Sequence, residues 1–224
     1  MVIPQRIRTI GDCIENGDVV VDVGADHGLL ELYLIAKYPH ITITAVENKI
    51  GPYRILENNL KGYKNVRLSL SDGIECANRS TKTVVIAGMG GLNIVKILSA
   101  YPEKTLHFKK IVIDAHRDIE IARRTIVSFG FRIKKEKIVY EQDKFYVVSE
   151  FVKTVYPLNY SNNVMQIGYQ LYKDELWPKY KDYLIDKNNK TISKIEHLDN
   201  MQDIILSLKK LNERIEKYGK NKAI

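Results

Sequence analysis

From Val19 to Gly130, short β-branched runs alternate with amphipathic stretches, the pattern of a parallel α/β fold. Val19–Val23 (VVVDV), Ile41–Val46 (ITITAV), Val66–Leu70, Val84–Ala87 (VVIA) and Ile111–Ile113 (IVI) read as five strands. Only Asp22 interrupts the first run, and hydrophobicity this continuous means that both sheet faces are covered, as in a doubly wound fold. Between the strands the period becomes helical at Leu29–Lys37, Pro52–Leu60, Leu92–Tyr101 and Ile119–Phe129. Beyond Gly130, Phe131–Lys135 and Lys144–Lys153 (KFYVVSEFVK) predict two closing strands joined by a turn, an antiparallel edge on the sheet.

From about Pro157 strands disappear, and no glycine occurs between Gly168 and Gly219. Ile192, Ile195, Leu198, Met201, Ile205, Leu208, Leu211, Ile215 and Tyr218 recur every three or four residues, which predicts one long helix. An earlier amphipathic piece, Met165 to Ile185, ends at the polar DKNNK, so the tail is expected to fold back as a helical hairpin. Its stripe reads as a coiled-coil or docking seam rather than a site. The expected division is therefore an α/β domain over 1–154 and a helical hairpin over 155–224.

The 224 residues, 45% hydrophobic and 28% charged, can bury a real core, which excludes disorder as the main state. Cys13 and Cys76 lie far apart without CxxC spacing, so neither a disulfide framework nor a zinc site is expected. No long apolar run and no secretory leader are seen, which points to a cytoplasmic chain without a membrane partner. A net charge of +8 favours a polyanionic partner. Residues 1–152 carry 22 basic and 18 acidic side chains and residues 153–224 carry 13 and 9, so the shorter tail has about twice the charge density.

The informative segment is VVVDVGADHGLLELYLI, where a strand ends in Asp22 and turns through Gly24 into a helix. Such a turn sets backbone N–H groups and a side-chain-free position at the carboxyl end of the sheet, where a nucleotide can approach. GADHG is not GxGxxG, so NAD is disfavoured. Glu47 ends the second strand, where an acid can accept hydrogen bonds from ribose hydroxyls, though a solvated surface acid is the plainer reading. Asn48 follows it. After the third strand stand Asp72 and Gly73 (SDG), and after the fourth Ala87, Gly88, Met89 and Gly90 (IAGMGG). An acid at the first can meet an adenine amino group, and the glycines let backbone lie against a ligand. Asp26 is either an N-cap of the following helix or a reactive carboxylate, and His27 and His116 are either loop histidines or site residues. No His, Cys or acidic cluster has metal-ligand spacing, so no metal is expected.

GADHG at 24–28, GPY at 51–53, SDG at 71–73, IAGMGG at 86–91 and KFYVV at 144–148 together resemble the bacterial tRNA adenine-N1 methyltransferase family that acts at tRNA position 22, TrmK. The resemblance covers nearly the whole chain, including the helical extension. It implies a Rossmann-like class I methyltransferase sheet and S-adenosylmethionine as cofactor, with S-adenosylhomocysteine as product. It further implies that Asp22, Gly24, His27, Glu47, Asn48, Asp72, Gly73, Ala87, Gly88, Met89 and Gly90 bind the cofactor and that Asp26 is the catalytic carboxylate. The chain departs from the family at Ala25 (usually serine), at Glu31 (usually a nearby proline) and at Asp114, Ala115 and His116, where the family reads QPN.

The implied reaction needs no metal, because adenine N1 carries an in-plane lone pair and the protein must mainly position and desolvate the reactants. Since N1 lies on the Watson–Crick edge, the base must be unpaired or flipped, and Tyr53 or Tyr146 can stack on it. For RNA contact the cationic candidates are Arg6, Arg8, Arg117, Arg123, Arg124, Lys134, Lys135 and Lys137, with His116 at the same sheet edge. The expected partner is tRNA and the expected state a monomer. Competing readings are a methyltransferase of another RNA or of a protein, and a non-catalytic RNA-binding scaffold on the same fold.

Overall fold

The computed structural model describes residues 2–156 and 158–220, which form two compact units meeting between Asn159 and Tyr160. Position 157 and residues 221–224, within the expected tail, lie outside the described residues.

The first unit is built on seven strands: β1 (Val19–Val23), β2 (Thr42–Glu47), β3 (Val66–Leu70), β4 (Thr83–Met89), β5 (Lys110–Ala115), β6 (Phe131–Glu141) and β7 (Lys144–Lys153). Their order is β3-β2-β1-β4-β5-β7-β6. The first five pair in parallel, and β7 inserts antiparallel between β5 and β6. The valine and isoleucine runs dictate this arrangement. Val20, Val21, Ile43, Val84, Val85, Ile86 and Ile111 to Ile113 are fully buried, and each such side chain contributes roughly 1.5–3 kcal/mol. The β6–β7 turn is two residues, Gln142 and Asp143, both at positive φ (51° and 58°), the backbone that matches the twist of a tight hairpin.

Six helices accompany the sheet among the described residues: α1 (Gln5–Gly11), α2 (Leu29–Lys37), α3 (Ile50–Leu60), α4 (Gly91–Ala100), α5 (Pro102–His107) and α6 (Ile119–Ser128). The pattern predicted α2, α3, α4 and α6 to within two residues. It did not reveal α1, whose Ile10, followed by Cys13 and Ile14, joins Leu30, Leu34 and Ile43 in the core. Chain direction across the sheet reverses between β1 and β4, and in open α/β sheets ligands bind at the strand ends beside such a reversal.

The second unit contains α7 (Asn162–Gln166), α8 (Trp177–Ile195) and α9 (Gln202–Lys217). A helical hairpin is present, but its turn is not at DKNNK. Those residues lie inside α8, where Lys190 pairs with Asp186 at 2.7 Å and Asn188 and Asn189 bond Asn212 of α9 at 2.7 and 2.9 Å. The bend falls at residues 196–201. Ile192, Ile195, Leu198 and Met201 are spaced by threes, and nine residues make about two and a half turns, which sets the last opposite the first. The stripe therefore cannot stay on one helix, and Leu198 is exposed. Trp177, the first residue of α8, and Tyr172 pack edge-on against Tyr218, whose hydroxyl donates to the Gly168 carbonyl.

Candidate functional site

The carboxyl ends of β1, β4 and β5 open on a crevice of about 310 Å³, lined by Arg6, Asp22, Gly24, Asp26, His27, Ala87, Gly88 and His116 together with Pro4, Ile7, Ile10, Ala25, Leu29 and Leu30. The volume falls at the lower end of small-molecule sites. Gly24 makes the floor possible. It sits at φ +82°, a conformation that side-chain-bearing residues rarely adopt, and an added Cβ would lie 2.5 Å from Met89 Cε. Its N–H and that of Ala25 both donate to the Val46 carbonyl, at 2.8 and 2.9 Å, which ties the GADHG turn to β2.

Of the two readings of Glu47, the solvated surface acid is excluded. Glu47 is buried, and its carboxylate accepts from the N–H groups of Asn48 (3.0 Å), Lys49 (2.9 Å) and Asp26 (3.3 Å). A carboxylate fixed by three backbone amides keeps about one of its roughly four lone-pair sites for a ribose hydroxyl. Asn48 Nδ2 donates to Asp72 Oδ1 at 3.2 Å, joining the loops after β2 and β3, and the Asp72 N–H donates to Glu75. Gly73 is buried at φ +127°. After β4 the register slips between Ala87 and Met89, so Gly88 is the extra residue of a bulge that turns backbone toward the crevice.

The capping reading of Asp26 fails. Gly28, at φ +79°, is the N-cap of α2 and no side chain caps it. Asp26 itself has left-handed backbone (φ +50°). Its carboxylate is exposed and lies 3.0 Å from His27 Nδ1. Non-glycine residues in that region cluster at functional sites.

A second cluster forms across the crevice. Arg6 donates to Asp114 Oδ2 at 2.7 Å, lies 3.3 Å from His116 Nε2 and stacks over Tyr146 at 5.0 Å, while His116 meets Tyr146 edge-on at 5.4 Å. Asp114 is wholly buried. Gly90 is covered by Arg117, whose side chain is otherwise exposed. Several predicted site residues stand outside the crevice lining: Glu47, Asn48, Asp72, Gly73, Met89 and Gly90 on the cofactor side, Arg117 and Tyr146 beside it, and Arg8 and Tyr53, of which Arg8 Nε bonds the Ile3 carbonyl and Tyr53 lies on α3. Arg123 is not available to RNA either, since it is buried and paired with Glu136 at 2.9 Å. Arg124 pairs with Glu120, and Lys134 and Lys135 with Glu150, although these two lysines are exposed like Lys137 beside them on β6.

Sequence reasoning missed the apolar lining residues Pro4, Ile7, Ile10, Leu29 and Leu30, and an acid behind the crevice, Glu31. It lies in the first turn of α2 beside Asp22, fully buried. Burial pushes the Asp22 carboxyl up to about 6, and burial together with the Asp22 charge pushes Glu31 well above the usual carboxylate range. The signal was present, since an acid inside the otherwise apolar LLELYLI has no solvated face to occupy.

Parallel strands, a glycine-hinged first turn and a buried acid after the second strand define the nucleotide-cofactor-binding class of doubly wound α/β proteins. Residues 3–149 match the methyltransferase domain family, and the chain belongs to it. It is 28% identical over 180 residues to a Mycoplasma genitalium protein with the provisional name tRNA methyltransferase MG248, covering 76% of this chain and 80% of that one. It is 27% identical over 150 residues to the Bacillus subtilis tRNA (adenine(22)-N(1))-methyltransferase, covering 64% of this chain and 62% of the relative's length. The fold of the B. subtilis enzyme TrmK superposes with a TM-score of 0.84 at 20% identity over 96% of this chain and 98% of that one. Mycoplasma capricolum TrmK, solved with S-adenosylhomocysteine, superposes with 0.81 at 23% identity over 97% and 98%.

Proposed function

We propose that this protein transfers the methyl group of S-adenosylmethionine to N1 of an adenine in tRNA, position 22 being the expected site. The observation that carries the reading is the exposed Asp26 carboxylate, released from capping and set at the crevice lining on a left-handed backbone. The family, the names of the relatives and the glycine-floored crevice with its neighbouring acidic loops support it. Glu47 offers a fixed acceptor for ribose, Asp72 an acceptor for the adenine amine, and Gly24 and Gly88 a floor without side chains. Residues 1–154 carry the chemistry, the hairpin over 155–224 is an extension, and the chain acts as a cytoplasmic monomer.

The cofactor supplies an electrophilic methyl group on a sulfonium. The protein's part is to bring adenine N1 into line with it and to stabilise the positive charge that develops on the base. Asp26 accepts a hydrogen bond from the exocyclic amine, which becomes more acidic as N1 is alkylated, and His27 orients that carboxylate. The target base leaves the RNA stack to reach Asp26. Arg6, His116 and Tyr146 form the wall that receives it, and Arg117 lies at the rim.

The test is methyl-labelled S-adenosylmethionine with unmodified tRNA, followed by nucleoside mass spectrometry. Label is expected in 1-methyladenosine. Asp26→Ala should lower the rate on the order of 10²-fold or more while cofactor binding persists. Label in another nucleoside, or an undiminished rate in the variant, would overturn the assignment.

A further inference from the structure

The carboxyl groups of Asp22 and Glu31 form a buried pair at the end of the crevice under the GADHG turn. Asp22 is 5% exposed and lines the crevice, and Glu31 is 0% exposed behind it. Both Glu31 oxygens are buried without a hydrogen-bond donor from another residue, although the Asp22 carboxyl lies beside them. The other ionisable groups lining the crevice have partners of their own, and Asp26 is assigned to the base. Arg6 is engaged by Asp114, Asp26 by His27, and His116 lies against Arg6 and Tyr146. Two carboxylates in one dry site cannot both ionise, so the pair keeps one proton at neutral pH.

The position of that proton decides what the crevice can bind. Asp22 touches the open volume and Glu31 does not, so the ionised member facing the crevice is Asp22, and the protonated member behind it is Glu31. A neutral Glu31 donates its O–H to Asp22, which lowers the cost of keeping Asp22 charged and fixes the direction of its free lone pairs.

We propose that Glu31 is a positioning residue: as a neutral acid it holds the Asp22 carboxylate ionised and aimed into the crevice to receive the α-ammonium group of the cofactor's amino-acid half. This rests on S-adenosylmethionine being the cofactor. No covalent bond changes, and the proton stays on Glu31 throughout. Affinity for an ammonium-bearing ligand is then full while Asp22 is ionised and falls as pH drops through about 6. A ligand without the ammonium does not share this dependence.

The test is calorimetric binding of S-adenosylhomocysteine and of 5′-methylthioadenosine, which lacks the amino-acid half, to the full chain between pH 5 and 7.5. Wild-type protein should lose affinity for S-adenosylhomocysteine by nearly tenfold per unit below about pH 6 and hold 5′-methylthioadenosine almost evenly. Glu31→Gln keeps a donor and should bind S-adenosylhomocysteine within about twofold of wild type at pH 7. Glu31→Leu removes the donor and should weaken it about tenfold while sparing 5′-methylthioadenosine. Three results overturn the proposal: a flat wild-type profile, a Glu31→Gln variant as weak as Glu31→Leu, or equal loss of both ligands in Glu31→Leu. The wild-type and Glu31→Gln series decide the matter should Glu31→Leu not fold. If wild-type protein binds neither ligand, the cofactor assignment itself has failed.

Discussion

The two sides of the crevice are made of different materials. On the side of the GADHG and AGMGG loops the crevice presents main chain. Gly24 and Gly88 bring backbone to the crevice, and Glu47, outside its lining, is anchored by three backbone amides. Facing them is a side built of side chains: Arg6 from α1, Asp114 and His116 from the end of β5, and Tyr146 from β7. Main chain accommodates what every reaction of this class shares, the nucleotide part of a cofactor. Side chains are what a sequence can exchange to suit one substrate, and Asp114 and His116 stand on this side. The contrast predicts that damage on the first side acts through backbone strain and folding, and damage on the second through substrate recognition.

The largest effect is expected at Gly91, the first residue of α4. Its N–H donates to the Arg117 carbonyl at 2.8 Å, and an added Cβ would fall 2.1 Å from the Asp118 carbonyl oxygen. Both obstacles are backbone, which cannot rotate away. Gly91→Ala should therefore destabilise the protein by on the order of 3 kcal/mol or more in urea unfolding, despite the better helix propensity of alanine. A variant as stable as wild type would show that the loops after β4 and β5 are not locked together as described.

Next comes the ion pair on the opposite side. Arg6→Ala leaves the wholly buried Asp114 with only His116 Nε2, 3.5 Å from Oδ2, beside it and with one oxygen, Oδ1, already unpartnered. A loss of about 2–3 kcal/mol is expected, at the low end for a buried pair because Arg6 keeps a quarter of its side chain in solvent. Adding Asp114→Asn should recover much of that stability while KM for tRNA stays high. Recovery of both together would mean that Arg6 serves the fold alone.

Glu31 lies beneath the main-chain side and gives a smaller effect of opposite sign. Its raised folded-state pKa means that the folded protein binds a proton the unfolded chain has lost, so stability declines as pH rises above the ordinary carboxylate range. One such group changes stability by up to about 1.4 kcal/mol per pH unit. Glu31→Gln removes the dependence and should be more stable than wild type by on the order of 2 kcal/mol near pH 7, with the gap closing toward pH 5. Parallel stability curves for the two proteins would show that Glu31 is ionised in the fold.

The same contrast explains what could be read from the chain. The strands and the turn at Gly24 were legible because VVVDVGADHG places an apolar run, an acid and a glycine hinge in adjacent positions. The burial of Glu47 was not, since the amides that hold it belong to its own loop and to Asp26, and a surface acid has the same local sequence. Arg6 and Asp114 are separated by 108 positions, and nothing local to either announces the other. In the tail, periodicity misled through its regularity. Spacings of three and four both read as helical, yet consecutive threes from Ile192 to Met201 rotate the stripe off its face and mark the bend. The DKNNK segment contains no glycine or proline, and its asparagines are paired across the hairpin.

The smallest expected effect separates ring from charge on the side-chain wall. Tyr146 pairs with Val139 across β6–β7, is half-buried, and presents its ring to the Arg6 guanidinium at 5.0 Å and to His116 at 5.4 Å. Tyr146→Leu removes the π-face and should cost about 0.5–1 kcal/mol. If the wall receives the flipped base, that loss appears as a rise of about two- to fivefold in KM for tRNA, because the aromatic face serves ground-state and transition-state binding alike. Tyr146→Phe keeps the ring and should leave KM unchanged. The stacking role would be refuted if Tyr146→Phe matched Tyr146→Leu, because the hydroxyl would then carry the interaction, or if both variants bound tRNA as wild type does.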